Sequence, residues 1–397
     1  MTAILLPFRA QDVTALAGSL FGTAMARAAN RHYLAMPILT HEPRHSAEKR
    51  VSTAGTAIAA GAVSIVIPAR DEAANLPALL QTLGPYVRGA GFVRQTIVVD
   101  DASQDGTGAV ARSFGATVLR LEEVDRSDGW LGKPHACQRG AEAATGEWLL
   151  FLDADTQPQP ESIDLALTHA VTNQLDAVSI LLRQRCETLW ERLLLPFAYQ
   201  QFFTGVDPGR MRDPNQAEAF FNGQFILIRT DVYRRTGGHG AVRGSIVEDM
   251  ALARALKQVG VPLETLRGEH VGAVRMYQDL QSIRHGFGKN AYAFLATEPQ
   301  RGVTVALSST CNGLAIPLIA LAASATGRHR HALLFAGVVS WLVNAMLLAT
   351  WTRRFGIPRA YALLQPLSAL VFNAIAIEST VRSVLRLGLT WKGRTYR

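Results

Sequence analysis

Leu149-Leu150-Phe151-Leu152-Asp153-Ala154-Asp155 decides the fold. Four apolar residues in a row read as a buried strand. Two carboxylates, one alanine apart, stand at its C-terminal end. In an open α/β sheet, ligands bind beyond the carboxyl ends of the strands. Two acids there call for a cation, and the usual one is a hard divalent ion shared with phosphate oxygens. The stretch therefore points to a metal–diphosphate site, although a single Asp-x-Asp also suits a surface turn.

The sequence upstream repeats the arrangement. Val63–Pro68 is a β-branched run closed by proline, hence a strand. Arg70-Asp71-Glu72 follows, then Leu76, Leu79, Leu80 and Leu83 at helical spacing. Gln95–Val99 is a second strand, ending in Asp100-Asp101, with Ser103 and Asp105-Gly106 beyond and a helix running to Phe114. A third strand is expected at Ala116–Leu121. Gly129–Pro134 forms a loop that opens a helix over His135–Thr145, with Lys133 available to a phosphate. Alternating strands and helices imply a mostly parallel sheet with helices on both faces. No glycine-rich G-x-G-x-x-G turn follows the first strand, which argues against a dinucleotide enzyme. Each acidic strand end alone would suit a cap or turn. Together they would repel one another without a cation.

Composition narrows the class. The 397 residues exceed one ordinary domain, and the net charge of +8 favours anionic partners. Cys137, Cys186 and Cys311 are far apart, so neither a disulfide framework nor a zinc site is implied. Uncharged segments run through Val303–Thr326 (24 residues), Ala332–Thr352 (21) and Ala360–Ile377 (18). A membrane-spanning helix needs about 20 apolar residues, and soluble helices need a polar face that these lack. The basic residues form no arm or recognition helix, so a nucleic-acid partner is not expected. If all three segments cross the membrane from a cytoplasmic catalytic part, the basic tail ends outside, against the positive-inside rule. A re-entrant Val303–Thr326, which contains Pro317, would place more of the charge inside.

The ordered set Ser64–Glu72, Asp100-Asp101 with Ser103 and Asp105-Gly106, Asp153-Ala154-Asp155, and Glu248-Asp249 resembles the family 2 glycosyltransferases. It covers about residues 63–294. Gly129–Lys133, Asn222–Phe225, Arg275-Met276-Tyr277 and Gly286–Asn290 narrow the likeness. They resemble the membrane-bound enzymes that glycosylate carotenoid or other isoprenoid lipids, the diaponeurosporenoate type. The resemblance implies an α/β GT-A domain, Rossmann-like and nucleotide-sugar-binding, followed by C-terminal transmembrane helices. Residues 1–60 would be an extension, 61–295 the catalytic domain and 296–397 a membrane module of two or three helices. It further implies an inverting, Mg²⁺- or Mn²⁺-dependent transfer of one hexose from a UDP-sugar to a membrane lipid, at the cytoplasmic face of the inner membrane.

By position, Pro68, Arg70, Asp71, Glu72, Asp100 and Asp101 would hold the nucleotide, with Lys133, Asp153, Arg284 and Lys289 toward the diphosphate. Asp155, with Asp153, would hold the metal. Asp249 would be the general base with Glu248 beside it. Trp130, Asn222, Gly223, Gln224, His239 and His285 would line the donor and acceptor pocket. Processive members carry Gln-x-x-Arg-Trp, whereas Gln281-Ser282-Ile283-Arg284-His285 has histidine at the last position. The altered platform favours single transfer over one rival, a processive or polyprenyl-phosphate-linked synthase, and Asp155 and Asp249 together oppose the other, a silent nucleotide-binding scaffold. The aromatic stretch Leu189–Met211 suits either core packing or the mouth of a lipid channel.

Overall fold

The computed structural model describes residues 10–40, 61–123, 128–213, 215–323, 325–385, 389–391 and 394–396. The basic stretch His41–Arg50 and the tail residues Arg386, Lys392 and Arg397 lie outside the described residues. The chain forms two compact units. One comprises Met36–Gln184 and Pro208–Met276, the other Met1–Ala35, Arg185–Asp207 and Tyr277–Arg397.

The first of these is an α/β unit around a sheet of 8 strands in the order β3-β2-β1-β4-β7-β6-β8-β5. The strands are β1 (Val63–Ala69), β2 (Val93–Asp101), β3 (Thr117–Leu121), β4 (Trp148–Leu152), β5 (Thr156–Pro158), β6 (Ala177–Gln184), β7 (Phe225–Arg229) and β8 (Leu263–Val274). β1 pairs in parallel with β2 and β4, and β2 with β3. All five residues of β4 are buried, as expected of a strand covered on both faces. The helix Leu76–Leu83 turns Leu76, Leu79, Leu80 and Leu83 into that core. The expected parallel sheet holds for these four strands. Beyond β4 it turns mixed: β7 is antiparallel to β4 and β6, β6 is parallel to β8, and β5 is antiparallel to β8. The order of the later strands is set by long-range pairing, on which short apolar runs such as Phe225–Ile228 are silent.

The other unit is helical. Residues 10–35, expected only as an extension, form the helix Ala10–Ala35. The helix Leu189–Gly205 starts with a capping box. The Glu191 amide donates to Thr188 Oγ1 (3.4 Å), and the Thr188 amide donates to Glu191 Oε2 (2.6 Å). Its aromatic residues pack inward, Phe197 on Phe372, Tyr199 on Phe355 and Phe203 on Trp351, which is the core-packing alternative. Three helical segments, Pro299–Ala323, His329–Arg354 and Arg359–Arg382, are long and apolar enough to cross a membrane. The first is two helices, Pro299–Asn312 and Ala315–Ala323. At the break, Gln365 Nε2 donates to the Asn312 carbonyl (2.8 Å), satisfying a backbone acceptor that lipid could not.

Candidate active site

The site lies in the α/β unit, where strand ends and two helix starts meet. β4 ends on the Asp-Ala-Asp triplet. Ala154 is buried, whereas Asp153 and Asp155 are partly exposed on either side of it. Ala154 joins the hydrophobic core, and the two acids flank it in the turn that follows β4. Lys133 is the second residue of the helix Gly132–Ala143. Its Nζ lies 2.7 Å from Asp153 Oδ1 and 2.9 Å from Glu248 Oε1. Leu131, just before that helix, donates its amide to the Arg243 carbonyl (2.9 Å), fastening the Gly129–Lys133 loop to the segment ahead of Glu248.

Glu248 and Asp249 open the helix Glu248–Gln258. Asp249 accepts the amides of Gly223 through Oδ2 and Met250 through Oδ1, both at 2.8 Å. A Cβ at Gly223 would lie 2.9 Å from Lys133 Nζ, 3.3 Å from Asp249 Oδ2 and 3.5 Å from Asp153 Oδ2. The missing side chain is what lets three charged groups converge there.

Burial and crowding set the electrostatics. Burial raises Asp249, Glu248 raises it further, and Lys133 and the two amides oppose, leaving its carboxyl at about 6. Burial likewise raises Asp153 against the pull of Lys133. Burial would lower Lys133, but Asp153 and Glu248 outweigh it and hold the ammonium well above its usual range. Lys133 keeps 37% of its side-chain surface and Asp153 keeps 26%, so the pair remains open to solvent. Burial pushes the Cys137 thiol well up, in keeping with a packing role.

The acids after β1 and β2 form a second constellation. Asp71 and Ala102 both take left-handed backbone, φ 52° and 55°. Such strain persists where the surroundings impose it. Here the Asp71 amide donates to Ser103 Oγ (3.0 Å), Asp71 Oδ1 accepts the Gln104 amide (2.8 Å), and the Glu72 amide donates to Thr107 Oγ1 (2.8 Å). Arg70 Nη1 donates to the Asp101 carbonyl (3.0 Å). Asp100 is 1% exposed. Its Oδ1 accepts the Ser103 amide (2.9 Å), and its Oδ2 faces Arg120 (3.4 Å) and Gly108 at the start of the helix Thr107–Ser113. The Asp100 carboxylate thus braces the loop from beneath.

Several pocket candidates are internal. Gln224 is 2% exposed, and its Nε2 lies 3.3 Å from Met276 Sδ. Asn222 is tied by its amide to Ser179 Oγ (2.9 Å). His239 is buried, 2.8 Å from Tyr233 Oη and 4.9 Å from the Phe151 ring centroid, and burial lowers it to about 4. Burial thus favours its neutral form. Trp130 is partly exposed, edge-on to His135. Arg284, His285 and Lys289 belong to the helical unit, where Arg284 forks onto Glu378, with Nε 2.6 Å from Oε2. Sequence reasoning missed the supports Thr107, Ser179 and Tyr233, and the last of these also donates to Gln138 (3.1 Å). They are polar residues without local pattern, found only through partners distant in the chain.

Among the described residues, no group of three or more His, Cys, Asp or Glu is gathered around a metal position. Mg²⁺ commonly takes one or two carboxylates and completes its shell with water and substrate phosphates. Asp153 and Asp155, hard and partly exposed, are donors of that kind.

Residues 64–237 match the family profile described as Glycosyl transferase family 2. Over 352 residues, 84% of this chain and 88% of the relative, the chain is 28% identical to the 4,4'-diaponeurosporenoate glycosyltransferase of Staphylococcus aureus strain USA300. It is 31% identical to that of strain MRSA252 over 58% of this chain and 60% of the relative. Among solved structures, the mannosyltransferase PcManGT of Pyrobaculum calidifontis, in complex with GDP-Man and Mn²⁺, aligns with a TM-score of 0.49. Its identity is 19%, over 89% of this chain and 99% of that one. Glucosyl-3-phosphoglycerate synthase of Mycobacterium tuberculosis aligns with a TM-score of 0.42, at 19% identity over 65% of this chain and 87% of that one. Residues 64–237 thus form a family 2 glycosyltransferase domain, carried on a GT-A-like α/β sheet of this order and followed by apolar helices.

Proposed function

We propose that this enzyme transfers a single hexose from a UDP-sugar to an isoprenoid or carotenoid-like lipid, with inversion and with Mg²⁺ or Mn²⁺. The catalytic unit would face the cytoplasm at the inner membrane. The observation that carries the reading is Asp249. It is held by two backbone amides beside Gly223, opposite the triplet at the end of β4, with its carboxyl raised to about 6. A general base works best when its pKa lies near the working pH. Asp249 would take the proton of the acceptor hydroxyl. Glu248, buried and paired with Lys133, positions that lysine rather than exchanging a proton itself.

Asp155 and Asp153 would hold the metal, which when bound stabilises charge on the departing diphosphate. Lys133 sits beside them as a second cation for the phosphates. Asp71, Glu72 and Asp101, with Pro68 and Arg70 in the same loops, would hold the nucleoside, and Asp100 would keep their loop in shape. The lipid acceptor is supported by the name of the relative that matches 84% of the chain and by the apolar helices.

The test is to incubate purified protein in lipid with Mg²⁺ or Mn²⁺, a panel of UDP-sugars and host lipid extract, and to read new glycolipids by mass spectrometry. One single-hexose lipid is expected. A ladder of products would replace the reading with a processive synthase. Bound UDP with no product would leave a silent scaffold.

A further inference from the structure

The helix Ala10–Ala35 is not among the three apolar segments, yet its faces are arranged for lipid. Its inward stripe is polar or small: Asp12, Ser19, Gly22, Ala26, Ala29 and Asn30. Its outward stripe is apolar: Val13, Ala17, Leu20, Phe21 and Ala24, with Leu20 72% exposed. A helix on a water-soluble body shows the opposite arrangement.

The inward stripe is matched along its whole length by the apolar helix Gly327–Arg354. Asp12 Oδ2 lies 3.2 Å from His329 Nε2, Ser19 meets Ser340, and Asn344 Nδ2 donates to Thr23 Oγ1 (3.0 Å). Thr350 Oγ1 and Arg354 Nη1 donate to Asn30 Oδ1 at 2.8 and 3.2 Å. Both chains advance together through these pairs, so the two helices run parallel. On another side, Gly18-x-x-x-Gly22 lets the backbones close. A Cβ at Gly22 would come within 2.8 Å of backbone atoms of Cys311 and Asn312. Small residues four apart and polar side chains bonded across helices are how helices associate in a bilayer. The 26 residues give a length of about 39 Å, against about 30 Å of hydrocarbon core.

We propose that Ala10–Ala35 is a further membrane-spanning helix, its Ala17–Ala24 face on lipid acyl chains. It would run in the same direction as Gly327–Arg354. The parallel register places Arg27 and Arg31 at the same end as Arg353 and Arg354, where Arg354 sits 4.1 Å from the centre of the Tyr33 ring. These four arginines outnumber Arg328 and Arg330 at the other end of the pair, so by the positive-inside rule their end is cytoplasmic, and the chain leaves the helix there, at Ala35.

The test uses single cysteines in a chain whose Cys137, Cys186 and Cys311 are replaced by alanine, labelled with a membrane-impermeant maleimide in intact cells and in inside-out vesicles. Thr14→Cys should label from the same side as Arg330→Cys, Leu34→Cys from the same side as Arg353→Cys, and Leu20→Cys from neither. In the otherwise native chain, an N-terminal epitope tag should be removed by protease added to spheroplasts. Labelling of Thr14→Cys and Leu34→Cys from one side overturns the proposal, as does a protected tag. Labelling of Arg330→Cys and Arg353→Cys from one side overturns it too, because the partner helix then does not cross.

Discussion

Two strands of the same sheet end in paired acids, and the pairs do different work. After β2, Asp100 is 1% exposed and faces back under its own loop, accepting the Ser103 amide and meeting Arg120. After β4, Asp153 meets a lysine from the start of the preceding helix, with Asp249 close by across Gly223. The residue type is the same and the position at the strand end is the same. The difference lies in what else arrives: one acid is sealed by its own turn, the other by charged groups from remote segments. An acidic strand end becomes a chemical site only when unlike charges converge on it and leave it open to a ligand.

The comparison breaks most visibly at Asp249. Asp249→Asn should keep UDP and metal binding while turnover falls about 10²–10⁴-fold, the usual contribution of a general base. Near-native turnover in a steady-state assay would remove it from that role. Next, Asp155→Ala should weaken metal-dependent UDP binding by at least about tenfold, since even outer-shell partners of a metal contribute about 10–100-fold. Calorimetry with and without Mn²⁺ checks this, and equal UDP affinity in the two proteins would show that Asp155 holds no metal.

Asp100→Ala sharpens the contrast from the other side. It strips a buried amide of its acceptor, which costs about 1–3 kcal/mol. Thermal unfolding should therefore come earlier while turnover per folded molecule stays near native. A native unfolding temperature with a raised KM for UDP-sugar would make Asp100 a donor ligand and dissolve the distinction. The smallest effect is in pH. Asp249 must be ionised to act, so kcat should rise as pH climbs through about 6. Lys133 lowers that carboxyl, so Lys133→Met should move the rise to higher pH. An unmoved profile would mean that the lysine does not reach Asp249 electrostatically.

Much of this protein was legible from local pattern. The β-branched run at Val63–Pro68, the leucines of Leu76–Leu83 and the apolar run into Asp153 each carry their own period, and the structure has those elements where the pattern puts them. The lengths of the uncharged segments likewise mark the helices able to cross a membrane. Local pattern reports which backbone a segment favours and which face it can bury.

It does not report what a polar residue will meet. His239 and Gln224, expected in a pocket, are buried against Tyr233 and Met276. Asp100 turned inward, the strands after β4 took a mixed order, and the polar stripe of Ala10–Ala35 was covered by a helix more than 300 positions later in the chain. Each was decided by tertiary structure, because the desolvation cost of a polar group depends on partners brought close only by the fold.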